Sequence, residues 1–187
     1  MRNSTELIDL INTTGVAKTQ KTFLKLFLLS FLAGAYIAFG AIFYTTVTAY
    51  GGNPGLLKLI GGFVFCTGLI LVVLAKAELF TGNNLMVFPL LNKKIKSSDV
   101  IRNWSIVYFG NFVGSIFIVI TMFATGIYSD GNGDIGQRTL EIAMGKVDLD
   151  FYPAFFRGIM CNILVCLAIW LTTVSYTHLT LPTKRIV

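Results

Sequence analysis

Four polar residues, Glu78, Thr81, Asn83 and Asn84, stand close together inside an otherwise apolar stretch. A threonine hydroxyl can donate a hydrogen bond to an anion, and so can backbone N–H groups freed from a helix. An ionised Glu78 would repel an anion, so we expect it to pair with backbone N–H groups or with a nearby cation such as Lys76. The chain shows no His/Cys cluster and no nucleophile–base pair, which favours binding over catalysis.

Two further patterns suit the path of an anion. Phe65 and Leu69 are four positions apart, on one helix face, and could form an apolar constriction that filters by removing water. Ordinary helix packing is the alternative interpretation. Lys146 stands in an otherwise acidic region, where a lysine would raise the local anion concentration. The alternative for Lys146 is a solvent-exposed loop residue.

The composition indicates that a membrane holds these residues in place. Of 187 residues, 55% are hydrophobic and 13% are charged, whereas a soluble domain carries roughly 25% charged residues. The net charge of +6 comes from lysines and arginines beside apolar runs. That placement is typical of cytoplasmic loops of membrane proteins, so we expect no nucleic-acid partner. The three cysteines lie inside apolar runs without metal-ligand spacing, and no cofactor is predicted.

The apolar runs and the charged loops between them predict a topology. The runs cover 26–50, 59–91, about 104–128 and about 151–173. Lysine and arginine are concentrated in the 1–25 segment and the 93–102 loop, so both should face the cytoplasm, with 129–150 outside. This multi-pass arrangement, with a cytoplasmic N-terminus, requires the second run to cross only once.

The second run is too long for one straight crossing. Its residues would make a helix about 50 Å long, whereas the hydrocarbon core is about 30 Å thick. We therefore predict a broken crossing whose break, at 81–84, is non-helical and buried in the bundle. Broken helices commonly form the sites of transporters. A long tilted helix with its polar end in the cytoplasm is the alternative.

Three segments resemble the formate/nitrite transporter family. They are AELFTGN at 77–83, the 103–115 segment with NW and YFGNFVGS, and GIMCNILVCLAIW at 158–170. Their order and spacing are family-like, and the resemblance covers roughly residues 20–173. Three long matches in register make it specific.

The resemblance implies an aquaporin-like, all-α membrane fold of six helices in two inverted halves, assembled as a homopentamer with one pore per subunit. It implies passage of small monovalent anions such as formate and nitrite, with or without a proton. Thr81 matches the family's pore-loop threonine, and Phe65 and Leu69 match its cytoplasmic-side apolar constriction. Lys146 matches its vestibule lysine and Asn162 an asparagine of the fourth helix.

The resemblance also implies a domain organisation. Residues 1–25 form a cytoplasmic segment, and 26–173 form a channel domain with about four of the six helices, the second one broken. The family's pore histidine lies in a fifth helix, and the only histidine here is His178. The surrounding 174–187 stretch resembles a translated sequencing adapter, so we expect it to be non-native and give His178 no role.

The resulting prediction is an anion channel of a bacterial-type inner membrane, not an enzyme. Three other functions remain open at this stage. A hydrosulfide channel of the same family fits the same residues. An intramembrane enzyme would use Glu78 with Asp148 or Asp150, although the predicted topology keeps these carboxylates apart. A structural membrane scaffold would need no broken helix.

Overall fold

The computed structural model describes the backbone of residues 4–179 and the side chains of residues 5–173, and every regular element in that range is helical. The helices are α1 Ser4–Thr19, α2 Phe23–Ala49, α3 Pro54–Leu74, α4 Phe80–Asn83, α5 Val87–Leu91, α6 Ser97–Ala124, α7 Asp134–Val147 and α8 Phe151–Leu179. Short 3₁₀ turns lie at Asn84–Met86, Ile127–Ser129 and Gly131–Gly133. Within the described residues, α2, α3, α6 and α8 are long and apolar enough to cross a membrane. The predicted all-α membrane class is confirmed.

Local capping residues determine where the spans begin. The Asn53 side chain accepts hydrogen bonds from the N–H groups of Gly55 and Leu56, so α3 starts immediately after it. The Asp99 carboxylate reaches back to the N–H of Lys96 at the start of α6. The α6 helix therefore begins at Ser97, several residues before the apolar run from which it was predicted.

Glycines let the backbones of α2 and α6 come into contact. A Cβ atom added to Gly34 of α2 would overlap the Asn111 carbonyl oxygen of α6. A Cβ atom added to Gly114 of α6 would overlap the Phe31 carbonyl oxygen of α2. Small residues of this kind are how helices approach closely in membranes, where no hydrophobic effect drives them together. The α2 helix lies between α3 and α6 and forms the centre of the bundle.

The crossing predicted to be broken is broken, but at a different place. The α3 helix ends at Leu74, and the chain leaves helical geometry over residues 75–79. Lys76 adopts a left-handed backbone conformation with φ of 51°. The N–H of Glu78 then donates to the Leu29 carbonyl of α2, 3.1 Å away, instead of to its own helix.

The prediction of a non-helical segment at 81–84 was therefore wrong. Phe80–Asn83 forms one helical turn and continues into the 3₁₀ turn Asn84–Met86. Glycine and asparagine favour turns as isolated residues, but the bond between Glu78 and α2 decides where the helix stops. The expectation of burial holds for Asn83, which is 1% exposed, whereas Thr81 and Asn84 are half-buried.

Two helices lie in segments that the apolar runs did not reveal. The α1 helix lies within the predicted polar 1–25 segment and packs against α5, with Gly15 directly against the Pro89 ring. The Asn92 side chain donates to the Asn12 side chain across this contact. The α7 helix lies within the predicted 129–150 loop and packs on α2.

No residue of the described apolar stretch of α8, Phe151–Thr173, is fully buried, and most of its first half is exposed. Its main contacts are with α4 and with the 3₁₀ turn that follows α4, and the Trp170 ring packs against Phe88 of α5. The helical backbone continues past 174, where the non-native stretch was predicted to start, as far as Leu179. Residues 180–187 and the side chain of His178 lie outside the described residues, so that prediction is not tested.

Candidate functional site

A buried carboxylate with two ammonium partners marks the break. The Lys18 Nζ donates to Glu78 Oε2 at 2.7 Å, and the Lys21 Nζ donates to Glu78 Oε1. The Glu78 side chain is 2% exposed, whereas the two lysines are 19% and 23% exposed. Both cations come from the N-terminal segment, Lys18 from the last turn of α1 and Lys21 from the link to α2.

Glu78 was expected to pair with backbone N–H groups or with a nearby cation, and its side chain does pair with cations. Lys76, the cation suggested from the sequence, is not one of them, because it is exposed and its left-handed conformation belongs to the break itself. Burial lowers the pKa of Lys18, and the Glu78 carboxylate, which favours the charged ammonium, offsets that shift only in part. Sequence reasoning missed Lys18 and Lys21 because it treated them as markers of orientation. The signal that could have found them is the need of a buried glutamate for a cation.

Asn83 joins this ion cluster to α6. Its Nδ2 donates to Glu78 Oε2 and to Asn103 Oδ1, both at 2.8 Å. Its Oδ1 accepts from Lys18 at 2.9 Å, and its backbone carbonyl accepts from the Trp104 indole N–H at 3.1 Å. Every hydrogen-bonding group of the Asn83 side chain is therefore used within the protein. The structure assigns it to holding the break, since it has no donor left for a ligand.

Thr81 differs from Asn83 in this respect. Its hydroxyl oxygen is buried and has no hydrogen-bond partner among the described residues. Its backbone carbonyl accepts a weak hydrogen bond from the Cys166 thiol of α8, with a sulfur–oxygen distance of 3.4 Å. A buried polar atom without a partner is costly and therefore uncommon, and the Asn103 Nδ2 is the other such side-chain atom among the described residues. The Thr81 hydroxyl is therefore available to a ligand or to water.

The fourth span meets the broken crossing through a second pair of amides. The Asn84 side chain donates to the Asn162 Oδ1, and the Asn162 Nδ2 donates to the Gly158 carbonyl of its own helix. The predicted residues Glu78, Thr81 and Asn83 thus lie in the break or in the helical turn after it, and Asn162 bonds to the 3₁₀ turn that follows.

A cavity of about 640 Å³ adjoins the break on the side of α1. It lies between α1, the end of α3, the break and α8, and Thr172 and Thr173 of α8 line it. Three lysines and one glutamate also line it, namely Lys18, Lys21, Lys76 and Glu78. The formal charge around the cavity is therefore positive, which favours an anion over a cation.

Phe65 and Leu69 do not line that cavity. They lie on α3 before the break, and Glu78 after the break bonds to the N-terminal lysines. The break thus lies between these two residues and α1. If the N-terminus is cytoplasmic, they lie on the outer side of the break, whereas the resemblance implies a constriction on the cytoplasmic side. Phe65 is 39% exposed, and Leu69 is half-buried.

Lys146 lies away from this cluster. It is exposed in the last turn of α7, and among the described residues it bonds to neither Thr81 nor Asn162. Asp148 and Asp150 follow it and precede α8. Cys166, which contacts Thr81, lies about 22 Å further along α8 than its first residue. Glu78 is thus far from both aspartates, and an enzyme built on that pair gains no support.

Metal chemistry also gains no support from the arrangement of side chains. Among the described residues, no group of three or more His, Cys, Asp or Glu side chains is placed to hold a metal ion. The Glu78 carboxylate, a possible ligand, already accepts bonds from two ammonium groups and one amide.

Known proteins of one family resemble this chain along most of its length. A family model described as "Formate/nitrite transporter" matches residues 5–180. The formate channel FocA of Haemophilus influenzae is 39% identical over 184 residues, covering 97% of this chain and 64% of the relative. A probable formate transporter of Methanothermobacter thermautotrophicus is 43% identical over 169 residues, covering 81% of this chain and 62% of the relative.

Solved structures with the same fold belong to the same class. One, a pentameric formate channel with formate bound, has a TM-score of 0.73 and 40% identity, covering 80% of this chain and 60% of its own. Another, an FNT family ion channel, has a TM-score of 0.78 and 28% identity, covering 89% of this chain and 68% of its own. The chain spans about three fifths to two thirds of the length of these relatives.

Proposed function

The chain belongs to the formate/nitrite transporter family, and from that premise we propose that the protein acts as a channel for small monovalent anions, formate and nitrite among them. The relatives' names support formate, and the family's description supports nitrite. The pentameric formate channel of the same fold supports assembly as a homopentamer. We place the protein in the bacterial inner membrane with its N-terminus in the cytoplasm, in accord with the basic 1–25 segment and 93–102 loop.

The observation that carries this proposal is the Thr81 hydroxyl, which is buried and has no partner among the described residues. An anion leaving water loses hydration that a channel must replace with donors. Thr81 offers one such donor at the turn that follows the break. The cavity that adjoins the break is lined by Lys18, Lys21 and Lys76 and would concentrate anions on the α1 side of the break. Thr81 does not line this cavity, but the next residue, Gly82, does.

The other predicted residues take roles around that donor. Asn162, bonded to Asn84, holds the fourth span against the broken crossing. Phe65 and Leu69 form the apolar filter on the α3 side of the break, and Lys146 draws anions towards the outer mouth. Glu78 and Asn83 contribute indirectly, because they hold the backbone around Thr81 and leave no donor free for the anion.

The test is anion uptake by proteoliposomes that carry the full-length protein. Thr81→Val keeps the shape of the side chain and removes the hydroxyl, so formate and nitrite uptake should fall by about tenfold. Thr121→Val is the matched control, because the Thr121 hydroxyl bonds only to the Phe117 carbonyl of its own helix and is exposed. Equal uptake by both variants and the unaltered protein would rule out the role of Thr81. Uptake no faster than in empty vesicles would rule out the channel.

A further inference from the structure

The Asn111 side chain of α6 forms hydrogen bonds to the backbone at the end of the break. The Asn111 Oδ1 accepts a hydrogen bond from the N–H of Phe80 at 2.9 Å. Its Nδ2 donates to the Glu78 carbonyl at 2.9 Å and to the Ser30 carbonyl of α2 at 2.7 Å. Both N–H donors of the amide and its oxygen are therefore bonded to backbone groups. Two of the three bonds flank Leu79, the last residue of the break.

The backbone of the break depends on these bonds. Phe80 begins α4, and the first N–H groups of a helix have no partner within it. Leu79, at the N-cap position, has no polar side chain to accept them. Water is absent from the hydrocarbon region, where each unsatisfied backbone group costs several kcal/mol. Asn111 thus caps α4 from a different helix and satisfies the Glu78 carbonyl with the same side chain.

Only an amide can both accept a hydrogen bond from the Phe80 N–H and donate hydrogen bonds to the Glu78 and Ser30 carbonyls. Aspartate could accept from Phe80, but it would place a carboxylate oxygen against the carbonyls of Glu78 and Ser30. Leucine has a similar shape and could neither donate nor accept. The backbone of Asn111 also has little freedom to move, because it packs directly against Gly34 of α2.

We propose that Asn111 is a positioning residue for the anion path. It fixes the backbone of Glu78 and Phe80, and thereby the direction in which Thr81, the next residue, presents its unpartnered hydroxyl. Asn111 has no donor left for the anion, so it acts through Thr81. This inference rests on the proposed channel function, because Thr81 is the donor that the proposed path uses.

The first measurement does not depend on transport. Hydrogen exchange of the Phe80 N–H, followed by NMR in detergent, reports directly on its bond to Asn111. Asn111→Leu should make this exchange faster by about tenfold or more. The matched control is Asn92→Leu, since the Asn92 amide bonds to Asn12 of α1 and lies outside the break. It should leave Phe80 exchange unchanged.

The second measurement separates positioning from a general loss of stability. The ratio of formate to acetate uptake is measured in proteoliposomes of the full-length protein, with Asn111→Leu, Asn111→Asp and Asn92→Leu compared. A displaced Thr81 hydroxyl should change this ratio by about threefold or more in both Asn111 variants. A merely structural role would lower both uptakes by the same factor, because fewer channels would be intact. The Asn92 variant should keep the ratio of the unaltered protein.

Each outcome decides the proposal. Unchanged exchange of the Phe80 N–H in Asn111→Leu would overturn it, and so would an unchanged uptake ratio in both Asn111 variants. If Asn111→Leu does not fold, Asn111→Asp decides through the uptake ratio, since its carboxylate still accepts from Phe80. If the unaltered protein transports neither anion, the proposed function fails, and with it the role at the anion path. The exchange measurement then still shows whether Asn111 holds the break.

Discussion

At the scale of single residues, the ion cluster at Glu78 contains the most deeply buried carboxylate of the ion pairs in the described structure. Its carboxylate accepts from Lys18, Lys21 and Asn83 in surroundings that are nearly closed to solvent. Moving such a carboxylate out of water costs free energy of hydration. Its ion pairs and hydrogen bonds offset that cost only while all the partners are present. The removal of one group should therefore have effects that depend strongly on which group is removed.

Glu78→Gln should destabilise the protein more than Lys18→Met. The first change leaves two ammonium groups without a counter-ion and should cost about 3 kcal/mol, whereas the second leaves Lys21 paired with Glu78 and should cost about 1 kcal/mol. The readout is the midpoint of heat unfolding in detergent. Glu141→Gln is the control, because its ion pair with Arg138 is exposed and should contribute little. The reverse order of the two main variants would contradict this reading of the cluster.

Lys146→Glu should reduce anion uptake in the full-length protein. The substitution places a negative charge near the proposed outer mouth, and its effect should grow as salt falls, since the screening length is about 10 Å at 0.1 M and about 30 Å at 0.01 M. Lys58→Glu makes the same charge change near the start of α3, at the end of this helix that lies away from the break, and should have a smaller effect. Uptake that is unchanged at low ionic strength would exclude a pore role for Lys146.

At the scale of elements, apolar runs predicted the four spans because length and hydropathy are properties of the chain itself. The broken crossing followed from the same arithmetic. Its location did not, because the bond from Glu78 to the Leu29 carbonyl and the bonds of Asn111 join segments far apart in sequence. Thr81 was proposed from its position in a polar group within an apolar run, and Asn162 was proposed from a motif.

The helices α1 and α7 were not predicted from the apolar runs. A search for long apolar runs passes over a helix that buries only one face. In α1 that face includes Leu7, Ile11 and Gly15, spaced four positions apart, together with the buried Asn12. This spacing was visible in the sequence, and it would have placed Lys18 on a helix pointing towards the break. The cluster at Glu78 could then have been predicted in part.

Gly34→Ala should separate α2 from α6. The added Cβ atom would overlap the Asn111 carbonyl oxygen, and overpacking of this kind typically costs about 1–3 kcal/mol or more. Gly62→Ala is the matched control, because a Cβ atom there meets nothing within 4 Å and alanine is the better helix former. In heat unfolding, the first variant should melt at a lower temperature and the second at the same or a higher one. Equal melting temperatures of the two variants would show that the close contact between α2 and α6 contributes nothing to stability.

At the scale of the whole molecule, the charged loops predict which face lies in which compartment. A membrane-impermeant maleimide should label the Asp134→Cys variant from outside intact cells, and the Lys94→Cys variant only after the membrane is opened. Both positions are exposed in the structure. The native cysteines, Cys66, Cys161 and Cys166 among them, are first replaced by alanine, so that each variant carries one thiol. Labelling of position 134 only from the cytoplasmic side would reverse the proposed orientation.

The spacing of the break's partners along the chain has a consequence for biosynthesis. Lys18 and Lys21 are made 60 and 57 residues before Glu78, whereas Asn111 is made 33 residues after it. At about 5–20 residues per second, the ribosome supplies the last partner about 2–7 seconds after the first charge pair can form. We expect α3 to stay at the translocon, with the backbone groups of the break not yet hydrogen-bonded to Asn111, until α6 has been inserted. Chains arrested after residue 92 should then show protease-sensitive bonds near Glu78 that chains arrested well after residue 124 have lost.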